Sequence, residues 1–449
     1  LFITLSLNVV AQSVKSSFEL EPAYLLHTSD EYFKANTRGF RSGENVIQVE
    51  CTGFKHIQFA YTARYSDQKH ALIIRKADAA GNELAVNKLD GGDRNFGPIA
   101  SESIEFGGWV LIFYFNYKDK DSMVLYVSQV DPNTLKLVNT QQLLSYHQKN
   151  VGVFKLGKVL KRKTIIKKSA DGTKLLVVCH GESDNLLTCV LNNDMTVLRK
   201  KTSTLKDIEG LDISESVIDN AGNSVTVPAD LLDAGAYFKA DRPKSVLIQK
   251  ANNTERLIDL STLSGGKELY NGHVQCSKTK NMIYLCGDYA GAVSRAGVWY
   301  AEIQPDKFLL NNFRTIAYTP EFKKTILESG FGSGKKEAAE PVGAELEVVE
   351  LSNNIALCGT FLLERQSLGG YSNGPNNILE HIAGPVFTIN VNNWKTPVFS
   401  TVHRWQYYDE GSNPVFISYD NKVVAVYNIT TIDSWHQGSY ANRFCIYQD

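Results

Sequence analysis

Residues Leu175 to Leu205 read LLVVCHGESDNLLTCVLNNDMTVLRKKTSTL. An apolar run is followed by a polar loop, a second apolar run, a tight Asn-Asn-Asp turn and a third, alternating run. The plan recurs along the chain. The first run ends at Tyr61, Tyr114, Cys179, Cys286, Cys358 and Tyr427, with a weaker copy near Val227 and Pro228. Second runs begin at Ala71, Met123, Leu186, Ser245, Gly297, Pro385 and Arg443. All but the last lead into a turn: DAAGN, DPNT, NND, NNT, QPD or NNW. Several units are preceded by a run closed by a tight turn, such as TIIKKSADGT, SVIDNAGN, HVQCSKTKN and FISYDN.

Short runs rich in Val, Ile, Leu, Tyr and Phe, bounded by Gly, Asn, Asp and Pro, are strand-and-hairpin signals. Four antiparallel strands per unit, repeated about every 60 residues, predict an all-β chain built as a β-propeller. The expectation is seven four-stranded blades, with six or eight as alternatives because the fourth unit matches poorly. The blades are expected at about 45–89, 101–144, 164–206, 213–263, 272–318, 345–403 and 413–449. Strand 16–26 is expected to complete the last blade, so that 12–449 forms one propeller domain. One stretch breaks the pattern. In TPEFKKTILESG, Thr319 can cap, Pro320 suits a first helical turn, and Phe322, Ile326 and Leu327 form an apolar face. A short helix is therefore expected before blade 6.

The 449 residues are 43% hydrophobic and 10% aromatic, ample for a core. A formal net charge of −1 argues against a nucleic-acid partner. The apolar run from Leu1, ending Val9-Val10-Ala11, reads as the remnant of a signal peptide, with cleavage expected before Gln12. No other run approaches the ~18 apolar residues of a membrane span. The expected location is outside the cytoplasm: periplasmic, outer-membrane-associated or extracellular.

There are seven cysteines and no CxxC pair. Cys179, Cys286 and Cys358 share one aligned position, where other units carry Tyr. That marks a soft apolar site on a strand, so free buried thiols are expected. In the hairpin register read from sequence, Cys189 faces about Leu176, too far from Cys179 for a disulfide.

Candidate function concentrates on the long connections. Those of blades 6 and 7 read GTFLLERQSLGGYSNGPNNILEHIAG and NITTIDSWHQGSYAN. Tyr371, Asn373, Asn376, His381, Trp435, His436 and Tyr440, with Arg365 and Arg295, combine flat aromatic faces with adaptable hydrogen bonding. They predict a site for a protein or a glycan on the long-loop face. Glu182, Asp288, Glu364 and Glu380 are the carboxylates available to a glycosidase-like centre, which is the alternative reading. No catalytic residue is assigned. His180, His381 and His403 lack metal-ligand spacing, and HExxH and GxxxxGK[ST] are absent, so neither metal nor cofactor is expected. The oligomeric state is open.

The chain resembles the exported propeller-like proteins of uncharacterised function common in the Bacteroidetes. The resemblance rests on the Val-Val-Ala-Gln-Ser leader end, the Asp171-Gly172 turn leading into LLVVCHGE, and the PEFKKTILESG helix. It carries over no function and assigns no residue a role; the expectation of an envelope binding or scaffold protein rests on the long-loop face of blades 6, 7 and 1.

Overall fold

The computed structural model describes residues 36–51, 71–90, 99–119, 122–147, 164–180, 185–205, 211–231, 241–290, 295–328, 340–352, 354–368, 377–391, 397–402, 406–407, 414–430 and 440–447. They form seven antiparallel sheets, each a meander of strands consecutive in sequence. Six have a four-stranded path and the seventh has three strands. This is the blade repeat of an all-β propeller fold.

Sheet 1 comprises Asn36–Ser42, Asn45–Cys51, Ala71–Ala77 and Glu83–Asp90. Sheet 2 comprises Ile99–Phe106, Trp109–Asp119, Ser122–Val130 and Leu137–His147. Sheet 3 comprises Ile165–Lys168, Lys174–His180, Asn185–Asn192 and Val197–Thr204. Sheet 4 comprises Leu211–Ile218, Ser224–Leu231, Ser245–Gln249 and Glu255–Asp259, with Asp241–Pro243 as an extra piece on its second strand. Sheet 5 comprises Glu268–Cys276, Ile283–Ala290, Arg295–Gln304 and Leu309–Ala317. Sheet 6 comprises Glu340–Glu350, Ile355–Leu368, Asn377–Asn390 and Val398–Val402, with Gln406–Tyr407 appended to its third strand. Sheet 7 comprises Val415–Tyr419, Lys422–Thr430 and Tyr440–Tyr447.

Local chemistry explains the turns. Asp78, Asp131, Asp171 and Asp219 each accept, on one carboxylate oxygen, a backbone N–H two to four residues on, at 2.8–3.0 Å. These Asx bonds hold the chain reversal between strands. The expected helix is present as Pro320–Glu328, with the Phe322 N–H donating to Thr319 Oγ1 at 3.1 Å. Phe322 is tilted against Tyr318, Phe361 and Phe399 and meets Phe387 edge-on, at centroid distances of 4.7–5.9 Å, which anchors the helix to sheet 6.

The chain divides into two compact units: Leu1–Ile166 with Asn193–Thr196, and Lys167–Asn192 with Val197–Asp449. In the first, Ile47, Val49, Leu72 and Ile74 of sheet 1 pack on Val110, Ile112 and Val130 of sheet 2. In the second, sheets 4 and 5 share a core around Val225, Val246, Leu285 and Trp299, and sheets 5 and 6 share one around Tyr284, Tyr300, Leu346 and Leu357. Close strand approach makes glycine a requirement at Gly287, Gly297 and Gly359. A Cβ on Gly297 would lie 2.1 Å from the Ile316 carbonyl oxygen and 2.7 Å from the Tyr289 ring. Gly297→Ala is expected to lose about 1–3 kcal/mol, read as a lower urea midpoint. An unchanged midpoint would refute the requirement.

Several expectations meet the structure directly. The first blade begins at Asn36, ahead of the expected 45, because its opening strand pairs fully with Asn45–Cys51. Strand 16–26 and the leader lie outside the described residues. Cys179, Cys189, Cys276, Cys286 and Cys358 are free thiols, four of them buried. Cys189 pairs with Val177, not Leu176, because the hairpin closes on His180 and Leu186 around an odd-numbered loop. Burial pushes the Cys189 thiol up to about 11, an inert state.

Candidate functional site

A cavity of about 680 Å³ lies in the second unit, lined from the first strands of five successive sheets. Lys167 and Lys168 come from sheet 3, Glu215 from sheet 4, His273 and Gln275 from sheet 5, Glu347 and Glu350 from sheet 6, and Phe416 from sheet 7.

Two bulges deliver the central pair. Along Leu211–Ile218, the register jumps at Ser214, opposite Pro228, which has no N–H to give the ladder. Along Glu268–Cys276 it shifts by one, with Asn271 and Gly272 together opposite the single residue Gly287. A Cβ on Gly272 would sit 2.9 Å from Pro243 Cγ and 3.1 Å from Val227 Cγ1, so a glycine lets the bulge pack. Immediately after these bulges stand Glu215 and His273. His273 Nδ1 lies 2.5 Å from Glu215 Oε2, and Lys167 Nζ donates to Oε1 at 3.1 Å. The Val274 N–H adds a third donor to Oε2 at 3.2 Å.

Burial alone would raise the Glu215 carboxyl. The His273 hydrogen bond, the charges of His273 and Lys167, and the Lys167 hydrogen bond outweigh that and hold it at about 2. Glu347 moves the other way, pushed up chiefly by burial, against the charge of His273, the Phe416 backbone N–H and the charge of Lys278. Glu350 is well satisfied. It accepts from Ser277 Oγ, from the Lys278 N–H at 2.8 Å and from the Tyr284 hydroxyl at 2.7 Å. Burial opposes these bonds, but together they hold it below the ordinary carboxylate range. Gln275 Oε1 accepts the Val348 N–H at 3.2 Å, tying sheet 5 to sheet 6.

The cavity residues were not singled out by sequence reasoning, although a signal was present. Glu215 pairs with Val227, His273 with Cys286 and Glu347 with Cys358. These partners are the aligned Cys or Val position of the repeat. Crossing the hairpin from that position finds the titratable residue in three successive sheets.

The loop candidates fall elsewhere. Tyr371, Asn373, Asn376, Trp435 and His436 lie outside the described residues, as do Glu182 and His403. The 26-residue connection expected in blade 6 is mostly strand: Ile355–Leu368 pairs with Asn377–Asn390, placing Glu364 opposite His381 and Arg365 opposite Glu380. Arg365 stands seven residues beyond Cys358, about 23 Å along the strand from the cavity level. Arg295 and Tyr440 likewise begin strands at the loop ends of sheets 5 and 7. The cavity, in contrast, lies toward the short first turns, with Ala170, Lys278 and Thr279 on its wall. Asp288 is not a loop group. It is fully buried, accepting from Asn271 Nδ2 at 2.7 Å. Among the described residues, no three His, Cys, Asp or Glu side chains are placed to hold a metal ion, and no helix is long and apolar enough to cross a membrane.

No protein-family model matches the sequence, and no curated protein matches it. Solved structures do. The β-propeller domain of the Trilobed protease from Pyrococcus furiosus is 12% identical, with a TM-score of 0.36 over 93% of this chain and 98% of that one. The Pyrococcus horikoshii acylaminoacyl peptidase is 11% identical, with a TM-score of 0.35. The match covers 94% of this chain and 53% of the peptidase, so the chain spans about half of that protein. An N11 neuraminidase-like protein from a flat-faced bat influenza virus is 12% identical, with a TM-score of 0.34 over 79% of this chain and 88% of that one. At these identities the functional reading rests on this chain's own residues.

Proposed function

We propose that this is an exported binding protein of the cell envelope, and that it recognises a glycan in the cavity over the first strands of sheets 3 to 7. The observation that carries the reading is the lining. Glu215, His273, Gln275, Glu347 and Lys167, which carry planar or charged hydrogen-bonding groups, line about 680 Å³ together with the aromatic residue Phe416. Pockets of about 300–1,000 Å³ suit small ligands. Directional polar groups beside an aromatic face match a sugar, whose hydroxyls need partners and whose C–H face packs on a ring. The apolar run from Leu1 supports export.

A carbohydrate-active enzyme is the second reading, because Glu215 and Glu347 are displaced in opposite directions, the pattern of an acid–base pair. Three donors already occupy Glu215, which makes it a poor nucleophile and favours binding over turnover.

An oligosaccharide array probed with the full chain tests the proposal. Wild type is expected to retain a subset of glycans, and Phe416→Ala to bind them about tenfold more weakly, near 1.4 kcal/mol. Retention untouched by Phe416→Ala and abolished by Tyr371→Ala/Trp435→Ala would move recognition to the long loops. Cleavage of a retained glycan would bring the enzyme reading forward.

A further inference from the structure

We infer that the ligand of this cavity carries a free amine, seated as an ammonium at Glu347 beside Phe416, so that the preferred glycan is an amino sugar that is not N-acylated. The inference rests on the glycan reading above and narrows it.

Three carboxylates line the cavity, and two are already matched. Glu215 holds Lys167, His273 and the Val274 N–H. Glu350 holds Ser277, Tyr284 and the Lys278 N–H. Glu347 differs. Among the described residues it has no ion pair, and its hydrogen bond comes from the Phe416 backbone N–H. It is nevertheless half-buried, on the face it shares with its cross-strand partner Cys358. A carboxylate withdrawn from water is costly: burial displaces Glu347 above the ordinary range, and the charges of His273 and Lys278 with the Phe416 N–H offset that only in part.

The surroundings fit a cation supplied by the ligand. Phe416 lines the same cavity, and its backbone N–H contacts the Glu347 carboxylate. A carboxylate and an aromatic face together satisfy an ammonium's charge and its C–H flanks. The lysines of the wall leave room for it: Lys167 is bonded to Glu215, while Lys168 and Lys278 line the cavity with exposed side chains. An acetamido group would instead bring a neutral amide to Glu347 and leave the carboxylate without a counter-ion. A neutral hydroxyl would do the same.

Isothermal titration of the full chain at pH 6 with two tetrasaccharides of one backbone decides it. One is the β-1,4-glucosamine tetramer and the other its fully N-acetylated form. The free amine is expected to bind at least tenfold more tightly. Glu347→Gln, which keeps the shape and can still accept the Phe416 N–H, is expected to erase that preference, so that the two tetramers bind it with equal affinity. Equal wild-type affinities would overturn the amine while leaving a glycan site standing. A preference that survives in Glu347→Gln would overturn the assignment to Glu347. Failure of both tetramers to bind would overturn the inference, and a blank oligosaccharide array would then remove the glycan reading with it. A trilysine peptide binding as tightly as the amine tetramer would make the ligand a peptide and overturn the sugar.

Discussion

Glu215→Gln is expected to cost about 3 kcal/mol of stability at neutral pH and almost none near pH 2. In the folded protein the carboxyl sits at about 2, against an ordinary value of 4.5. At about 1.4 kcal/mol per unit, that gap is worth about 3 kcal/mol. The folded value is the lower one, so the contribution is fully present above 4.5 and disappears as pH falls through 2. The side chain is 17% exposed, so solvent screens its partners little. Urea unfolding of wild type and variant at pH 7, 4 and 2.5 measures the gap. The two free energies should converge on acidification, because carboxylates common to both proteins cancel in the difference. A gap that stays constant with pH would mean that Lys167 and His273 do not stabilise the Glu215 charge.

Arg199→Met is expected to lower stability by about 3–5 kcal/mol, the largest effect of any single substitution considered for this chain. Arg199 is 2% exposed on the fourth strand of sheet 3 and reaches into sheet 4. Its Nη1 donates to the carbonyls of Gly222, Gln249 and Lys250 at 3.3, 3.0 and 2.6 Å, and Nη2 donates to Ser224 Oγ at 2.5 Å. These acceptors belong to two different turns of sheet 4. One planar fork therefore fastens both turns to the neighbouring sheet. Burial draws the guanidinium down to about 10, offset in part by Asp219, so it remains charged at neutral pH. Methionine would fill the space and leave the carbonyls buried without donors. Arg199→Lys tests the fork itself: one ammonium cannot serve both turns, so most of the loss should persist. Urea midpoints for the three proteins give the answer, and a lysine variant as stable as wild type would overturn the argument.

Much of the fold was legible because its determinants are local. The Asp171-Gly172 and Asp219…Asn223 turns carry their own hydrogen-bond acceptor, and alternating apolar runs specify a half-buried strand wherever they occur. Thr319 and Pro320 announced their helix for the same reason. The fourth unit matched poorly because Pro228 imposes a bulge and the third strand is broken at Lys244. The blade 6 connection reads as a loop in sequence because polar alternation in LLERQSL and NILEHIA resembles a linker until the two segments pair.

The sequence by itself determined the repeat, the turns, the capped helix and the thiol position shared by Cys179, Cys286 and Cys358, since each follows from residues within a few positions of one another. Only the tertiary structure decided where the chemistry gathers. Lys167, Glu215, His273, Glu347 and Phe416 come from five sheets spread over 250 residues of chain. Their meeting depends on packed cores between sheets and on bulges at Ser214 and Asn271–Gly272, which shift the residues that follow. A register shift of one residue turns a side chain to the opposite face of its sheet. Strand patterning marks Glu215 or His273 as polar and half-buried, and the partners across the cavity then make Glu215 a matched ion while burial displaces Glu347 the other way.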